Sequence, residues 1–266
     1  MFGEIALLRK WCQRIVFDID DAIYLTKPRQ LGHTPGHSLQ KWVRFIAVCQ
    51  MSHVVVAGNE NLADVAGCFA KRVLVLPTCV DVSSYRFSSN CQKKGSTIVW
   101  IGLPENLCYL EPLRPVLSKL AERHPGLLLK IVSSRFPSWD TPQIDGVKWT
   151  QETETDCLTT SDIGIMPLSD DGWTRGKCAF KLLQYMAAGL PCVASPVGMN
   201  TKVVVDNETG YLATSPEEWT ERLNLLLSCA KRRSAMGKRG REYAMGYYNV
   251  SRSISCLCSL FGELAS

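Results

Sequence analysis

The side chains best suited to chemistry lie in one stretch, between two apolar runs at residues 163–168 and 190–195. Arg175 and Lys177 lie in the loop after the first run, and Lys181 lies at the start of a helix-like segment, residues 180–188. Basic side chains and the N–H groups of a first helical turn both attract phosphate. In an open α/β sheet, ligands bind beyond the carboxyl ends of such strands. The stretch therefore predicts a pocket for an anion.

The spacing of the two lysines indicates how they would act. Lys177 and Lys181 are four residues apart, so on one helix they would share a face. We therefore expect a first turn that points both ammonium groups and the N–H groups of residues 178–181 at a phosphate. Arg175 is a third candidate, because a guanidinium can contact phosphate through two hydrogen bonds. Gly102 ends the apolar run IVWIG and would let the backbone approach the same ligand.

The run LLQYMAAGLPCVAS, residues 182–195, resembles the donor-sugar site of retaining, GT-B-type glycosyltransferases of family 4. The resemblance extends over most of the chain, through FDIDDAI, VVVAGNENLADVA, VLVLPTCVD, WIGLPENLCYL and NETGYLA. It implies an α/β protein of GT-B-like fold, with two Rossmann-like domains of doubly wound parallel sheets. It also implies an enzyme that moves a sugar from a nucleotide-diphosphate sugar to an acceptor hydroxyl, with retention, in glycan or glycoconjugate biosynthesis. No cofactor or obligatory metal is expected.

The resemblance assigns roles to particular residues. Lys177 and Lys181 are the expected catalytic cations, which stabilise the departing diphosphate. Gln184 stands where the family has a glutamate that accepts hydrogen bonds from the nucleotide ribose, and an amide oxygen can accept one such bond. Gly176 occupies the position of the family's other glutamate. The contact of that glutamate with the sugar is therefore absent or comes from another residue.

The loop before the helix offers further candidates for donor binding. Asp170 and Asp171 are acids that would replace the missing glutamate, or they form a polar turn before the next glycine. Trp173 either walls the pocket or packs against its neighbours, and Phe180 begins the helical spacing. Related enzymes often place an Arg or Lys in the segment that corresponds to residues 103–110, which contains neither here. More of the contact with phosphate therefore falls to the two lysines.

Three carboxylates end the strand-like run RIVFDID, namely Asp18, Asp20 and Asp21. By resemblance, this strand end faces the acceptor, where Asp20 or Asp21 would orient or deprotonate the hydroxyl group as a catalytic residue. Alternatively, these acids cap the next segment or pair with Lys27 and Arg29.

Two other functions stay open. IVFDIDDAI also fits the hydrophobic-DxD pattern of haloacid dehalogenase-like phosphatases, with Asp18 as the nucleophile, Asp20 as the acid and Mg²⁺ as an obligate partner. The other hypothesis is a catalytically degenerate protein that binds a nucleotide sugar or a partner without turnover. It rests on Gly176 and Gln184, which replace two acids of the resembled family.

Composition limits the class of protein. The chain has 266 residues, of which 46% are apolar. This length and composition allow one large core or two modest ones, and the apolar share is too high for a disordered protein. No stretch is long and apolar enough to span a membrane, and MFGEIALLRKW lacks the pattern of a signal peptide. The 12 cysteines are scattered without a CxxC pair, which favours reduced thiols and a cytoplasmic location.

The charge of the chain bears on its partners. A net charge of +5 is compatible with an anionic substrate or with peripheral contact to an acidic membrane surface at the inner face, and it is also ordinary for a protein of this size. No nucleic-acid partner is expected. The acceptor stays open between a saccharide, a lipid-linked glycan and a small metabolite.

Strand-like and helix-like segments alternate along the chain, which predicts doubly wound parallel sheets. Ser215, followed by Pro-Glu-Glu, predicts a helix start with a capping box. The predicted strands are residues 14–19, 54–57, 73–76, 98–101, 127–132, 163–168 and 191–195, and the predicted helices are residues 39–49, 62–69 and 219–227.

The polar run SSNCQKKGS, residues 88–96, is the predicted linker, with a domain boundary near residue 92. We expect a partial N-terminal, acceptor-side Rossmann-like domain over residues 1–91 and a C-terminal nucleotide-sugar-binding Rossmann-like domain over residues 92–266. Residues 243–264 are expected to return as a helix to the N-terminal part. In the resembled family several strands precede the FDIDDAI-like strand, so we expect the first domain to be short by roughly one hundred residues.

Overall fold

The computed structural model describes residues 12–28, 35–87 and 97–265. The predicted linker, residues 88–96, lies outside these ranges, so the boundary near residue 92 stays a prediction. The chain divides into two compact units. The first contains the chain up to Cys79, the segment Asp170–Cys178 and the chain from Val250 onward, and the second contains Val80–Ser169 and Ala179–Asn249.

The first unit is built on a three-stranded parallel sheet with β4 in its centre. The strands of that sheet are β1 (Val16–Ile19), β4 (Val54–Ala57) and β5 (Val73–Val75). Two short strands, β2 (Leu25–Thr26) and β3 (Gly36–His37), form an antiparallel pair. The helices of this unit are α1 (Leu39–Met51), α2 (Glu60–Gly67), α5 (Gly172–Arg175) and α10 (Val250–Ala265).

Consecutive residues of β4 face opposite sides of its sheet and divide the core of the first unit in two. Val55 and Ala57 lie in a cluster with buried residues of α1 and α2. Val54 and Val56 pack with Leu260 of α10. Because both faces of the strand are covered, the run VVVA needs no polar residue.

The second unit is built on a six-stranded parallel sheet in the order β11-β10-β9-β6-β7-β8. Its strands are β6 (Thr97–Ile101), β7 (Leu128–Ser133), β8 (Gln143–Lys148), β9 (Ile163–Met166), β10 (Cys192–Ala194) and β11 (Gly210–Leu212). Its helices are α3 (Arg114–Arg123), α4 (Gln151–Thr159), α6 (Phe180–Ala187), α7 (Asn200–Val203), α8 (Pro216–Ser228) and α9 (Ala230–Tyr247). Short 3-10 helices cover Val82–Ser84, Pro104–Tyr109 and Glu111–Leu113.

Helices cover both faces of the six-stranded sheet. Val99 and Ile101 of β6 lie in a cluster with residues of α6, whereas Ile98 and Trp100 lie in a cluster with residues of α3 and α8. This alternation is the signature of a doubly wound sheet, and it confirms the predicted α/β fold class.

Every predicted strand and every predicted helix overlaps one in the structure. The helix start at Ser215 is also confirmed, because its hydroxyl accepts a hydrogen bond from Glu218 N at 3.2 Å and the Glu218 carboxylate accepts one from Ser215 N at 3.2 Å. Elements for which no bounds were predicted include β8, β11, α3, α4 and α9.

The expectation of one returning helix over residues 243–264 is wrong in its extent. α9 ends at Tyr247 and α10 begins at Val250. Between the two helices Tyr248 has a non-helical backbone, and its carbonyl oxygen accepts a hydrogen bond from Val80 N at 2.8 Å, next to a short parallel bridge between Val80 and Asn249. α10 then lies within the first unit.

Two features are absent from the described ranges. No helix in them combines the length and the apolar composition needed to cross a membrane. No group of three or more His, Cys, Asp or Glu side chains in them is arranged to hold a metal ion.

Candidate functional site

Gly102 and Lys181 meet at the carboxyl end of β6, in the second unit. Lys181 Nζ lies 4.4 Å from the centroid of the Trp100 ring. A Cβ atom at Gly102 would lie 2.6 Å from this Nζ atom and 2.5 Å from the Trp100 ring. The missing side chain at position 102 therefore leaves the space that the ammonium group occupies. Because Trp100 is only 1% exposed, the cation rests on a fixed aromatic face.

Tyr185 holds helix α6 in place, although no sequence pattern singled it out. Its hydroxyl accepts a hydrogen bond from Ile101 N and donates one to Ile165 O, each at 3.2 Å. A Cβ atom at Gly164 would lie 2.4 Å from the ring, so the glycine lets the ring reach β9. Burial raises the pKa of Tyr185, which keeps the hydroxyl protonated. These contacts fix α6 against β6 and β9 and so position Lys181, one turn earlier.

The prediction that Lys177 and Lys181 share one helical face is wrong. α6 begins at Phe180, and Ala179 before it has a φ of 56°. This left-handed conformation interrupts a right-handed helix, so Lys177 lies outside α6. Cys178 also precedes the helix. Contrary to the prediction, its N–H group is therefore not part of the first turn. The first turn contains the N–H groups of Phe180 and Lys181.

Gln184 lies three residues after Lys181 on α6 and is 4% exposed, and its polar partners Tyr85 and Glu154 are half-buried. Its amide nitrogen donates to the Glu154 carboxylate and, at 3.2 Å, to the Tyr85 hydroxyl. The Tyr85 hydroxyl donates to Glu154 Oε1 at 3.2 Å, which is the oxygen that also accepts from Gln184. Trp149 Nε1 donates to Glu154 Oε2 at 2.7 Å. Burial raises the pKa of Tyr85 to about 12, so its hydroxyl remains a donor at neutral pH. Glu154 belongs to no motif, so the sequence alone did not indicate it.

Polar side chains also fix the neighbouring strand ends of the second unit. Ser195 Oγ, just after β10, accepts a hydrogen bond from Leu168 N at 3.0 Å. Asn200 Nδ2 donates to Ser195 O at 2.9 Å. The Ser133 hydroxyl, at the end of β7, is buried and has no hydrogen-bond partner among the described residues. The loops at this edge of the sheet are thus held by side-chain hydrogen bonds.

The loop residues predicted to bind the donor have structural partners in the first unit. Asp171 Oδ1 caps α5 by accepting hydrogen bonds from Trp173 N and Thr174 N, each at 2.9 Å. Asp170 forms a two-bond ion pair with Arg175, at 2.6 and 3.0 Å. The Arg175 guanidinium lowers the pKa of Asp170. The polar turn predicted for these acids is present, and their contact with a donor stays a prediction.

Gly176 is a point of close approach in the first unit. A Cβ atom there would lie 2.7 Å from Ala22 Cβ and 3.0 Å from Ala22 N. Asn59 Nδ2 donates to Gly176 O at 3.0 Å, and Cys178 Sγ donates to Asp20 O at 3.1 Å. The segment is therefore fixed against the loop after β1, which explains a glycine where the resembled family has a glutamate.

Lys177 and Asp21, both predicted as catalytic groups, form an ion pair in the first unit. Lys177 Nζ lies 3.6 Å from Asp21 Oδ1. The same Nζ atom lies 5.7 Å from the centroid of the Trp173 ring. Trp173 packs against the core of this unit, which was one of the two alternatives predicted for it. Burial raises the pKa of Asp21, and the attraction of Lys177 opposes this rise. The pair thus holds a half-buried carboxylate beside its counter-charge.

The other acids near β1 have different surroundings. Burial, together with the charge of Asp20, raises the pKa of Asp18. Lys27 lowers the pKa of Asp21 through its charge, in line with the predicted alternative of pairing with Lys27. Arg29, the other partner in that alternative, lies outside the described residues.

Phe180 is 45% exposed at the first position of α6.

Residues 138–243 match the model of the family Glycosyl transferases group 1. Spore coat protein SA from Bacillus subtilis (strain 168) is 34% identical over 79 residues, which are 29% of this chain and 21% of that protein.

Solved structures of glycosyltransferases have a similar fold. TarM from S. aureus gives a TM-score of 0.71 at 14% identity, over 93% of this chain and 50% of that one. Sucrose-phosphate synthase from Thermosynechococcus elongatus gives 0.68 at 15% identity, over 86% of this chain and 63% of that one. HepE from Anabaena, in complex with UDP and glucose, gives 0.67 at 14% identity, over 94% of this chain and 71% of that one.

The fold is therefore that of the GT-B glycosyltransferases, as the resemblance predicted. The similarity to the glycosyl transferases group 1 family is limited to residues 138–243. The chain spans 21% of the spore coat protein and 63% of the sucrose-phosphate synthase chain.

Proposed function

We propose that this chain is part of a glycosyltransferase that moves a sugar from a nucleotide-diphosphate sugar to an acceptor hydroxyl, with retention, in glycan or glycoconjugate biosynthesis. The observation that carries the proposal is the position of Lys181 Nζ beside Gly102, beyond the carboxyl end of β6. Doubly wound sheets bind their ligands at this end of the strands. The matched family segment includes Lys181 and Gln184.

The reaction makes a demand that this arrangement meets. The diphosphate gains negative charge as its bond to the sugar breaks, while the sugar carbon becomes cationic. A positioned ammonium group, next to the N–H groups of a helix start, stabilises that charge most in the transition state. Lys181 lies in the first turn of α6 and is held over Trp100, so little reorganisation is needed when the charge develops.

The class of donor is proposed from the ligands of similar proteins. HepE was solved with UDP and glucose, and TarM with UDP. Both proteins share the fold of this chain. A nucleotide-diphosphate sugar fits a cation that is followed, three residues later on the same helix, by the polar cluster around Gln184. For the acceptor we propose a saccharide, a lipid-linked glycan or a small molecule.

Residues of the first unit have proposed roles that rest on the resemblance. Asp20 or Asp21 would orient or deprotonate the acceptor hydroxyl, and Lys177 would be a second cation for the diphosphate. In the structure, Lys177 pairs with Asp21. Gly176 supplies no side chain for a contact with the sugar.

Lys181→Ala, compared with Lys202→Ala, tests the proposal. Both lysines are in the second unit, and Lys202 is exposed on α7. Calorimetry would measure binding of UDP, GDP, ADP and CDP, and a coupled assay would measure nucleoside diphosphate release from the corresponding sugar nucleotides. We expect Lys181→Ala to reduce affinity or turnover by roughly tenfold or more, and Lys202→Ala to leave both nearly unchanged. Equal effects of the two changes would contradict this site.

The same measurements separate the other two hypotheses, which the family match does not favour. Binding of a sugar nucleotide without release of the diphosphate would indicate a degenerate protein. Release of phosphate from a phosphomonoester that requires Mg²⁺ and is lost in Asp18→Asn would indicate a phosphatase. Failure to bind any of the nucleotides would count against both the transferase and the degenerate protein.

A further inference from the structure

We propose that Glu154 is a positioning residue, which orients the Gln184 amide so that its carbonyl oxygen faces the nucleotide and accepts a hydrogen bond from a ribose hydroxyl. This inference rests on the proposed function and deepens it. It assigns a role to a residue that lies 30 positions from Gln184 and has no place in any motif.

The orientation follows from the chemistry of donors and acceptors. An ionised carboxylate can only accept hydrogen bonds, so the atom of Gln184 that contacts Glu154 is the amide nitrogen. The same nitrogen donates to the Tyr85 hydroxyl at 3.2 Å. An amide nitrogen has two N–H groups, and both are now engaged. The group that Gln184 has left to offer a ligand is its carbonyl oxygen, an acceptor like the oxygen of a glutamate.

Glu154 is itself held in place. Trp149 Nε1 donates to one of its carboxylate oxygens at 2.7 Å, and the Tyr85 hydroxyl donates to the other at 3.2 Å. Glu154 also lies in the first turn of α4, where the helix dipole favours a negative charge. The cluster therefore keeps an acceptor facing the amide nitrogen. An amide at position 154 could donate instead, and the Gln184 side chain would then be free to turn over.

The spacing of Gln184 and Lys181 on α6 suits a nucleoside diphosphate. Gln184 and Lys181 are three residues apart on α6, and side chains at this spacing lie about 5–6 Å apart at their Cβ atoms. A nucleoside diphosphate carries its anionic phosphates next to a ribose with hydroxyl donors. The Lys181 ammonium group matches the phosphates, and the Gln184 carbonyl oxygen, one turn further along the same helix face, matches the ribose hydroxyls.

The experiment compares ligands with and without ribose hydroxyls. The probe is whichever of UDP, GDP, ADP and CDP binds the wild-type chain most tightly by calorimetry, together with its 2′,3′-dideoxy analogue. Glu154→Gln and Glu154→Gln/Gln184→Glu are measured with both ligands. The matched control is Glu152→Gln, because Glu152 is an exposed acid in the same first turn of α4.

We expect the wild-type chain and the Glu152→Gln control to bind the ribonucleotide about tenfold more tightly than the dideoxy analogue. Glu154→Gln should lose most of this ratio by weakening the ribonucleotide alone. The double variant exchanges carboxylate and amide, which restores an acceptor at position 184 and a donor at position 154, so the ratio should return. A purely structural role of Glu154 would change the melting temperature and leave the ratio as it is.

The inference is overturned if Glu154→Gln keeps the wild-type ratio, or if the folded double variant does not recover it. If Glu154→Gln alone does not fold, the double variant decides, because a donor at position 154 again faces an acceptor at position 184. If the wild-type chain binds none of the four nucleotides, the proposed function fails and the inference fails with it. Binding without a ribose effect overturns the inference alone.

Discussion

Lys177 Nζ lies 3.6 Å from Asp21 Oδ1, and this ion pair ties the segment before α6 to the loop after β1 within the first unit. The two residues have opposite proposed roles, one toward the donor phosphates and the other toward the acceptor hydroxyl. An anion that contacts Lys177 would compete with Asp21 for the same ammonium group. Binding of an anion to Lys177 would therefore also change the charge next to the Asp21 carboxylate.

The stability of Asp21→Asn should depend on pH differently from that of the wild-type chain. Burial raises the pKa of Asp21, so the folded state keeps a proton that the unfolded chain has already released. The stabilisation that comes from this difference in proton binding is fully present below about pH 3.9, the pKa of Asp in the unfolded chain. It is lost as the pH rises through the pKa of Asp21 in the folded state. We therefore expect the wild-type chain to lose stability relative to Asp21→Asn as the pH rises from about 4 toward neutrality.

Thermal denaturation at several pH values measures this difference. Asp64→Asn, which changes an exposed acid on α2, is the control and should follow the wild-type curve. A difference between Asp21→Asn and wild type that stays constant across this range would show that Asp21 does not have a raised pKa.

Tyr185→Phe should destabilise the second unit. The change removes the hydroxyl that bonds to Ile101 N and Ile165 O, and it leaves both backbone groups in a fully buried position without this partner. We expect a loss of about 1–3 kcal/mol in the free energy of unfolding, measured in urea. Tyr247→Phe is the control, because Tyr247 is 60% exposed. Equal losses in the two variants would contradict the anchoring role.

Gly102→Ala should disturb the proposed phosphate site directly. The new Cβ atom would meet the buried Trp100 ring at 2.5 Å and Lys181 Nζ at 2.6 Å. The lysine can move away, but the ring cannot, so we expect a loss of stability of about 1–3 kcal/mol and weaker binding of nucleoside diphosphates.

Gly246→Ala is the matched control for this change. A Cβ atom at Gly246, on α9, would meet no atom within 4 Å. The control should be neutral or up to about 1 kcal/mol more stable, because alanine favours helices. Nucleotide binding that is unchanged in Gly102→Ala would remove position 102 from the site.

Gly176→Ala should destabilise the first unit, and Ala22→Gly should partly compensate for it. The added Cβ atom would lie 2.7 Å from Ala22 Cβ, and removal of that methyl group opens the space. We expect the double variant to be more stable than the sum of the single changes by about 0.5 kcal/mol or more. Strictly additive changes, measured by thermal or urea denaturation, would show that the two positions do not press on each other.

Buried strands could be predicted from the sequence because their composition follows from covered faces. The run VVVA was predicted with the bounds of β4, since every one of its residues is buried. β8 lies at the edge of its sheet, and its residues QIDGVK are mostly exposed or half-buried, so neither an apolar run nor a clean alternation marks it. α9 is rich in charged residues and only weakly amphipathic, which hides its helical period.

The candidate site could be predicted in part. Gly102, Lys181 and Gln184 follow from a local run and its family resemblance, whereas Glu154 and Tyr185 depend on contacts that only the fold creates. The error at Lys177 comes from Ala179, whose left-handed backbone is unusual for an alanine and leaves no trace in residue type. The close approach to Ala22 explains Gly176 better than any property of its neighbours in sequence.

The first unit is assembled from three separate stretches of the chain. Its last stretch supplies Leu260, which covers Val54 and Val56 on one side of the central strand, and Glu263, which pairs with Arg72. A recombinant fragment that stops after residue 91 would present this uncovered valine surface to water and would tend to aggregate. We therefore expect an N-terminal fragment that also carries α10 to remain in solution better than one without it.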